Sequence, residues 1–135
     1  MRIFLKIFVL AGNDIVLNYL YLKRFLKPSQ AVKLQLVGFS DASEMAYSAI
    51  VYLRAVCLNG EVDVNLIVSK TRVAPVRKVS LPRLELCGAL LLARLVKLVR
   101  ETVLFTVDDI FCVFGFHYSS FMVVIPIWSL ANFRC

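Results

Sequence analysis

The sequence predicts one α/β domain in which three antiparallel strands precede a helix and a fourth strand, in the order βββαβ. Three observations carry this. Apolar and polar residues alternate from Val32 onward, Asn59-Gly60 separates two β-rich runs, and a stretch after Pro82 repeats its apolar residues every three or four positions. A length of 135 residues suits one hydrophobic core and not two. With 60% hydrophobic and 19% charged residues, the chain is no disordered tail. The same figures leave more apolar surface than a soluble monomer of this size hides easily.

Residues 1–31 read as an unmatched apolar and basic leader. Leu17, Leu20, Tyr21 and Phe25 fall near helical spacing, and a basic knot, Lys23-Arg24-Phe25-Leu26-Lys27, closes at Pro28. Met1–Leu22 imitates a signal peptide only weakly, since Lys6 interrupts the run and Asn13 and Asp14 break it. From Val32 the pattern becomes that of strands. Val32, Leu34 and Leu36 alternate with Lys33 and Gln35, and the run continues to Asp41. Ala46–Val56 is the second β-rich run, and Asn59-Gly60 after it is a strong hairpin signal. In the third run Val62, Val64, Leu66 and Val68 are expected on one face, with Glu61, Asp63, Asn65 and Ser69 on the other.

Lys70–Val79 is a basic connector containing Pro75. Ser80 and Pro82 mark a helix start, and the helix is expected to run to about Val103. Glu85, Gly88, Ala89, Leu92, Val96, Val99 and Val103 share its apolar stripe, and Gly88 and Ala89 are expected to allow close approach to the sheet. A fourth strand follows at about Asp109–Val113. Ile110–Phe133 contains no Asp, Glu, Lys or Arg, and about 20 such residues suffice to span a bilayer. Gly115, His117, Ser119, Ser120 and Pro126 interrupt the run, so a membrane helix is the alternative expectation for this tail.

The four cysteines form no CxxC pair and His117 is the single histidine, which excludes a zinc site of ordinary spacing. Reduced cysteines packed as small hydrophobes suit an intracellular chain. Sixteen Lys and Arg against nine Asp and Glu give a net charge of +7, which favours a polyanion or an acidic membrane surface as neighbour.

Two acids stand where the pattern does not want them. Asp41 ends the first strand, and Glu85 lies on the apolar stripe near the helix N-terminus. If the first strand is central and the helix crosses it, both carboxylates converge where a hard divalent cation would bind. A local reading stands beside this one: Asp41 caps a turn through Ser43, and Glu85 favours the helix N-terminus electrostatically. Lys70, Arg72, Arg77, Lys78 and Arg83 cluster close in sequence to Glu85, either as phosphate contacts or as a solvated loop.

Three strings resemble BEL/Pao-type LTR retrotransposon polyproteins in their ribonuclease H-like region. They are Gly38-Phe39-Ser40-Asp41-Ala42-Ser43-Glu44-Met45-Ala46-Tyr47, then Ser69-Lys70-Thr71-Arg72-Val73-Ala74-Pro75, then Ser80-Leu81-Pro82-Arg83-Leu84-Glu85-Leu86-Cys87-Gly88-Ala89-Leu90-Leu91. The resemblance covers residues 32–112 and implies an incomplete ribonuclease H-like core. It also implies that Asp41 and Glu85 match the first two metal ligands, that Mg²⁺ is the cofactor, and that RNA–DNA hybrid is the substrate of the intact family. Its other implied associations are the rest of the Pol polyprotein and a cytoplasmic or nuclear location. The region is also catalogued as a Pao retrotransposon peptidase. An aspartic peptidase needs an Asp-Thr/Ser-Gly loop, and Asp41-Ala42-Ser43 is not one.

The chain departs from the family after the fourth strand. Similar sequences continue there into Trp-Thr-Asp-Ser, whose Asp is the third ligand, and that Asp falls on or near Gly115 in this chain. A later helix bearing a fourth acid has no counterpart, and residues 113–135 read as an unmatched hydrophobic tail. Asp108 and Asp109 precede the fourth strand and are expected at its opposite end from the site. The leading expectation is a retrotransposon-derived domain without hydrolytic activity, binding nucleic acid weakly. A working Mg²⁺-dependent ribonuclease H domain and a small membrane protein anchored by residues 110–133 are the alternatives.

Overall fold

The computed structural model describes residues 31–103, 106–116 and 119–125, with residues 31, 32, 116 and 119–125 as backbone alone. The leader, with the helix expected around Leu17–Phe25, and residues 126–135 lie outside the described residues. Five strands and one helix follow in the order β1 (Ala31–Ala42), β2 (Ala46–Cys57), β3 (Val62–Val73), α1 (Leu81–Thr102), β4 (Asp109–Phe116) and β5 (Ser119–Ile125). They form one sheet in the order β3-β2-β1-β4-β5. The expected βββαβ order is present, and β1 is the central strand.

β1, β2 and β3 make an antiparallel meander. At the first turn the Ser43 hydroxyl accepts hydrogen bonds from the N–H groups of Met45 and Ala46. At the second, Gly60 N–H donates to Cys57 O and Cys57 N–H to Glu61 O. Gly60 takes φ 82°. A three-residue loop with only its glycine left-handed therefore closes the hairpin. The Asn59 side chain accepts from Glu61 N–H and fixes the loop from within.

β3 departs from strict alternation. Val51 pairs with Val68 but Tyr52 pairs with Leu66, so Ile67 is an inserted residue. The insertion changes the phase of the strand, so Val62, Val64, Leu66 and Val68 do not share a face as expected. Ile67 and Val68 are buried, whereas Val62 and Val64 are exposed.

Helix α1 starts with Pro82 in its first turn, and Ser80 O accepts from the N–H groups of Arg83 and Leu84. Its buried face is wider than the expected stripe, because Leu84, Leu91 and Leu95 join Glu85, Gly88, Leu92, Val96 and Val99. It packs on β2, β1 and β4. Leu36, Ala49, Val51, Leu53, Ile67, Leu92, Val96, Val99, Ile110 and Cys112 form the core between them. Closest approach is at Gly38, where an added Cβ would lie 2.6 Å from Leu92 Cδ1. At Gly88 the nearest atom would be 3.4 Å away, an ordinary contact. The glycine that this packing requires is therefore in the strand, not the helix.

After α1 the chain returns as β4, parallel to β1 from Gln35↔Asp109 to Ser40↔Phe114. β5 then pairs antiparallel with β4, from Ile110↔Ile125 to Phe116↔Ser119. This corrects the membrane reading over its described part. Residues 110–116 and 119–125 are strands, and no helix among the described residues is long and apolar enough to cross a membrane. β-branched and aromatic residues fill the segment, and the open edge of β4 supplies its backbone partners.

Candidate functional site

Strand alternation divides β1 between two faces. Leu36 and Ser40 are buried with Gly38 on the face that α1 covers, while Val37, Phe39 and Asp41 point to the other. No helix among the described residues packs on this second face. An open depression of about 240 Å³ lies there, lined by Phe39, Ser40, Asp41, Ser48, Ile50, Val113 and Gly115. Phe39 stands edge-on to Tyr52 with ring centroids 5.9 Å apart.

Asp41 ends this row near the C-terminal end of the central strand. Its Oδ1 accepts from Ala42 N–H at 2.9 Å. The adjacent turn is held by Ser43 itself, so Asp41 does not cap it. Across the sheet Asp41 is opposite Ser48, and Ser48 is opposite Thr71. On its other side is Gly115. A Cβ there would lie 3.0 Å from Asp41 Oδ1 and 3.2 Å from Ser40 O. A side chain at position 115 would thus share the space that the Asp41 carboxylate occupies.

Glu85 arrives from the helix. It is 8% exposed, on the sheet-facing side of α1. As the fifth helical residue it stands beyond the first turn, where the dipole effect has largely fallen off. One turn further on, Gly88 meets the backbone of Asp41 and Ser48. The helix therefore brings Glu85 to the end of β1 that carries Asp41, but from the covered face, while the Asp41 side chain leaves from the open one.

Asp108 and Asp109 are at the other end. Asp108 clamps β4 to β1, its N–H donating to Leu34 O and its Oδ2 accepting from Leu34 N–H at 2.7 Å. Asp109 forms an ion pair with Lys33 at 2.7 Å and accepts from Gln35 Nε2 at 2.9 Å. The Arg54 guanidinium donates to the same Gln35 side chain. The Lys33 ammonium and the Gln35 amide hold the Asp109 carboxyl below its usual pKa. Asp109 is opposite Gln35 and so six residues along β1 from Asp41, about 20 Å at roughly 3.3 Å per residue. Neither acid can join Asp41.

The basic residues occupy Asp41's end of the sheet. Lys70 and Arg72 flank Thr71 on β3, two strand spacings or about 10 Å from β1. Arg77 and Lys78 lie in the connector and Arg83 in the first turn of α1, and all five are exposed. Ser48 and Phe39 escaped the sequence reading, because their place beside Asp41 depends on strand register and face, which a strand's own sequence does not state.

The three described thiols stand apart from the depression at Asp41. Cys57, Cys87 and Cys112 are free, and burial pushes the Cys112 thiol up to about 11. Among the described residues, no group of three or more His, Cys, Asp and Glu stands close enough to hold a metal ion.

An antiparallel meander, a crossing helix and a parallel fourth strand beside the first define a ribonuclease H-like domain, with Asp41 at the end of the central strand. Residues 13–114 match the family described as the Pao retrotransposon-like RNaseH-like domain, and the chain belongs to that family. The match begins upstream of Val32, where the resemblance starts, and of Gly38, where its first string begins. No curated protein and no solved structure matches the chain.

Proposed function

We propose that this chain is a piece of a retrotransposon Pol polyprotein whose ribonuclease H-like domain keeps a nucleic-acid surface without hydrolysing phosphodiester bonds. Gly115 is the observation that carries this reading. Its missing side chain would have been within 3.0 Å of Asp41 Oδ1, where the resemblance expects a third acid. Two-metal hydrolysis needs several shared carboxylates to hold both ions about 4 Å apart. The donors present, Asp41 on the open face and Glu85 on the covered one, do not fit such a centre. Mg²⁺, which keeps its waters unless enough charge offsets their loss, would be held weakly. No catalytic step is assigned to it.

Binding has its own support. Lys70, Arg72, Arg77, Lys78 and Arg83 form an exposed basic margin at Asp41's end of the sheet, Lys70 and Arg72 on its helix side, and such contacts give sequence-independent affinity for phosphates.

Manganese titration followed by electron paramagnetic resonance tests the role of position 115. Gly115→Asp is expected to tighten Mn²⁺ binding by on the order of tenfold, as a second carboxylate joins Asp41. Asp41→Asn in the same background should abolish the gain. Unchanged affinity on Gly115→Asp would show that position 115 does not belong to the ancestral metal site.

A further inference from the structure

β3 is an edge of the sheet, twelve residues long, and its outer N–H and C=O groups face no other described strand. Such an edge is a template for pairing with another chain. The charges along it have an order that periodicity alone does not reveal. Asp63 pairs across β2 with Ala55, Lys70 with Ala49 and Arg72 with Tyr47, and these three β2 residues lie on the helix side. Because the inserted Ile67 changes the phase, the helix-side row of β3 reads Asp63, Asn65, Val68, Lys70, Arg72, and Glu61, which closes the hairpin just before the strand opposite Cys57, continues it. The row has two anions at one end, two cations at the other and uncharged residues between. All four charged residues are exposed, and none forms an ion pair among the described residues.

This row is self-complementary under a two-fold axis. When a second β3 runs antiparallel with Leu66 of one copy opposite Ile67 of the other, Asp63 faces Lys70 and Glu61 faces Arg72. Each pair occurs twice, on one face of a continuous sheet. The same register sets Val64 against Ser69 and Val62 against Thr71 on the other face. A parallel arrangement would set like charge against like, and a slip of one residue would put facing charges on opposite sides of the sheet. We infer that the β3 edge is the docking surface for a second copy of this chain, joined by antiparallel β3–β3 pairing in this one register. The inference does not rest on the metal site, but it shares Lys70 and Arg72 with the proposed nucleic-acid surface, so its test is run without nucleic acid.

Sedimentation equilibrium of the full chain at low salt, without nucleic acid, tests it. The expected mass is twice the 15.3 kDa of one chain. It should fall to one chain for Glu61→Lys/Asp63→Lys and for Lys70→Glu/Arg72→Glu, each of which opposes like charges. An equimolar mixture of the two variants should return to the doubled mass, because every facing pair is then opposite in sign. A single chain carrying all four reversals should also dimerise, which covers the case in which one variant loses its fold by far-ultraviolet circular dichroism. A monomeric parent chain at 100 µM would overturn the proposal and mean that something else occupies the edge. Dimers that survive either reversal, or a fully reversed chain that stays monomeric, would overturn it too.

Discussion

At the scale of single residues, the fold depends most on a side chain that is absent. Gly38 lies under Leu92, and an added methyl would come within 2.6 Å of Leu92 Cδ1 in the middle of the core. Overpacking of this kind costs about 1–3 kcal/mol. Gly38→Ala should therefore lower the urea midpoint of unfolding clearly. Gly88→Ala should leave it unchanged or raise it, since its contacts begin at 3.4 Å and Ala is favoured over Gly in helices by about 1 kcal/mol. The reverse order would mean that the helix and strand do not meet where described. Sequence alone pointed to Gly88 because a small residue on an apolar helical stripe is visible in periodicity. Gly38 was hidden, because a glycine in a strand declares its importance only when the helix above it is known. Asp41 and Glu85, by contrast, stood out at once as acids interrupting apolar patterns.

At the scale of elements, β4 is fastened to β1 by polar groups at one end and apolar contacts along its length. Lys33 and Gln35 depress the pKa of Asp109, so the ionised carboxylate favours the folded state. Its contribution is fully present above the unfolded carboxyl value, about 3.9, and is lost as pH falls through the lower folded value. Asp109→Asn should remove this part of the acid limb, flattening the dependence of the unfolding midpoint as pH falls below about 4. An unaltered slope would mean that the Lys33 pairing does not persist in solution. The meander, the helix and β4 were legible because each has its own period or turn chemistry. β5 was not, since an uncharged run from Ile110 to Phe133 satisfies a membrane helix as well as a strand. Only pairing with β4 decides between them. The phase change at Ile67 was equally hidden, because a one-residue insertion leaves local composition unchanged.

At the scale of the whole molecule, a sheet covered by one described helix presents a depression with Asp41 on its open face and a basic margin at the same end. Affinity for an RNA–DNA hybrid should fall steeply with salt, and Lys70→Ala/Arg72→Ala should reduce the magnitude of the log–log slope by about 2. Fluorescence anisotropy from 50 to 200 mM salt measures it, and a slope unaffected by these changes would remove Lys70 and Arg72 from the interface. The central claim, binding without hydrolysis, is tested most directly by incubating the purified 135-residue chain with a labelled RNA–DNA hybrid and Mg²⁺, in parallel with Asp41→Asn. With a glycine where the third carboxylate would share Asp41's space, the predicted result is no Mg²⁺-dependent cleavage by either protein. Cleavage by the parent chain that disappears on Asp41→Asn would contradict the account.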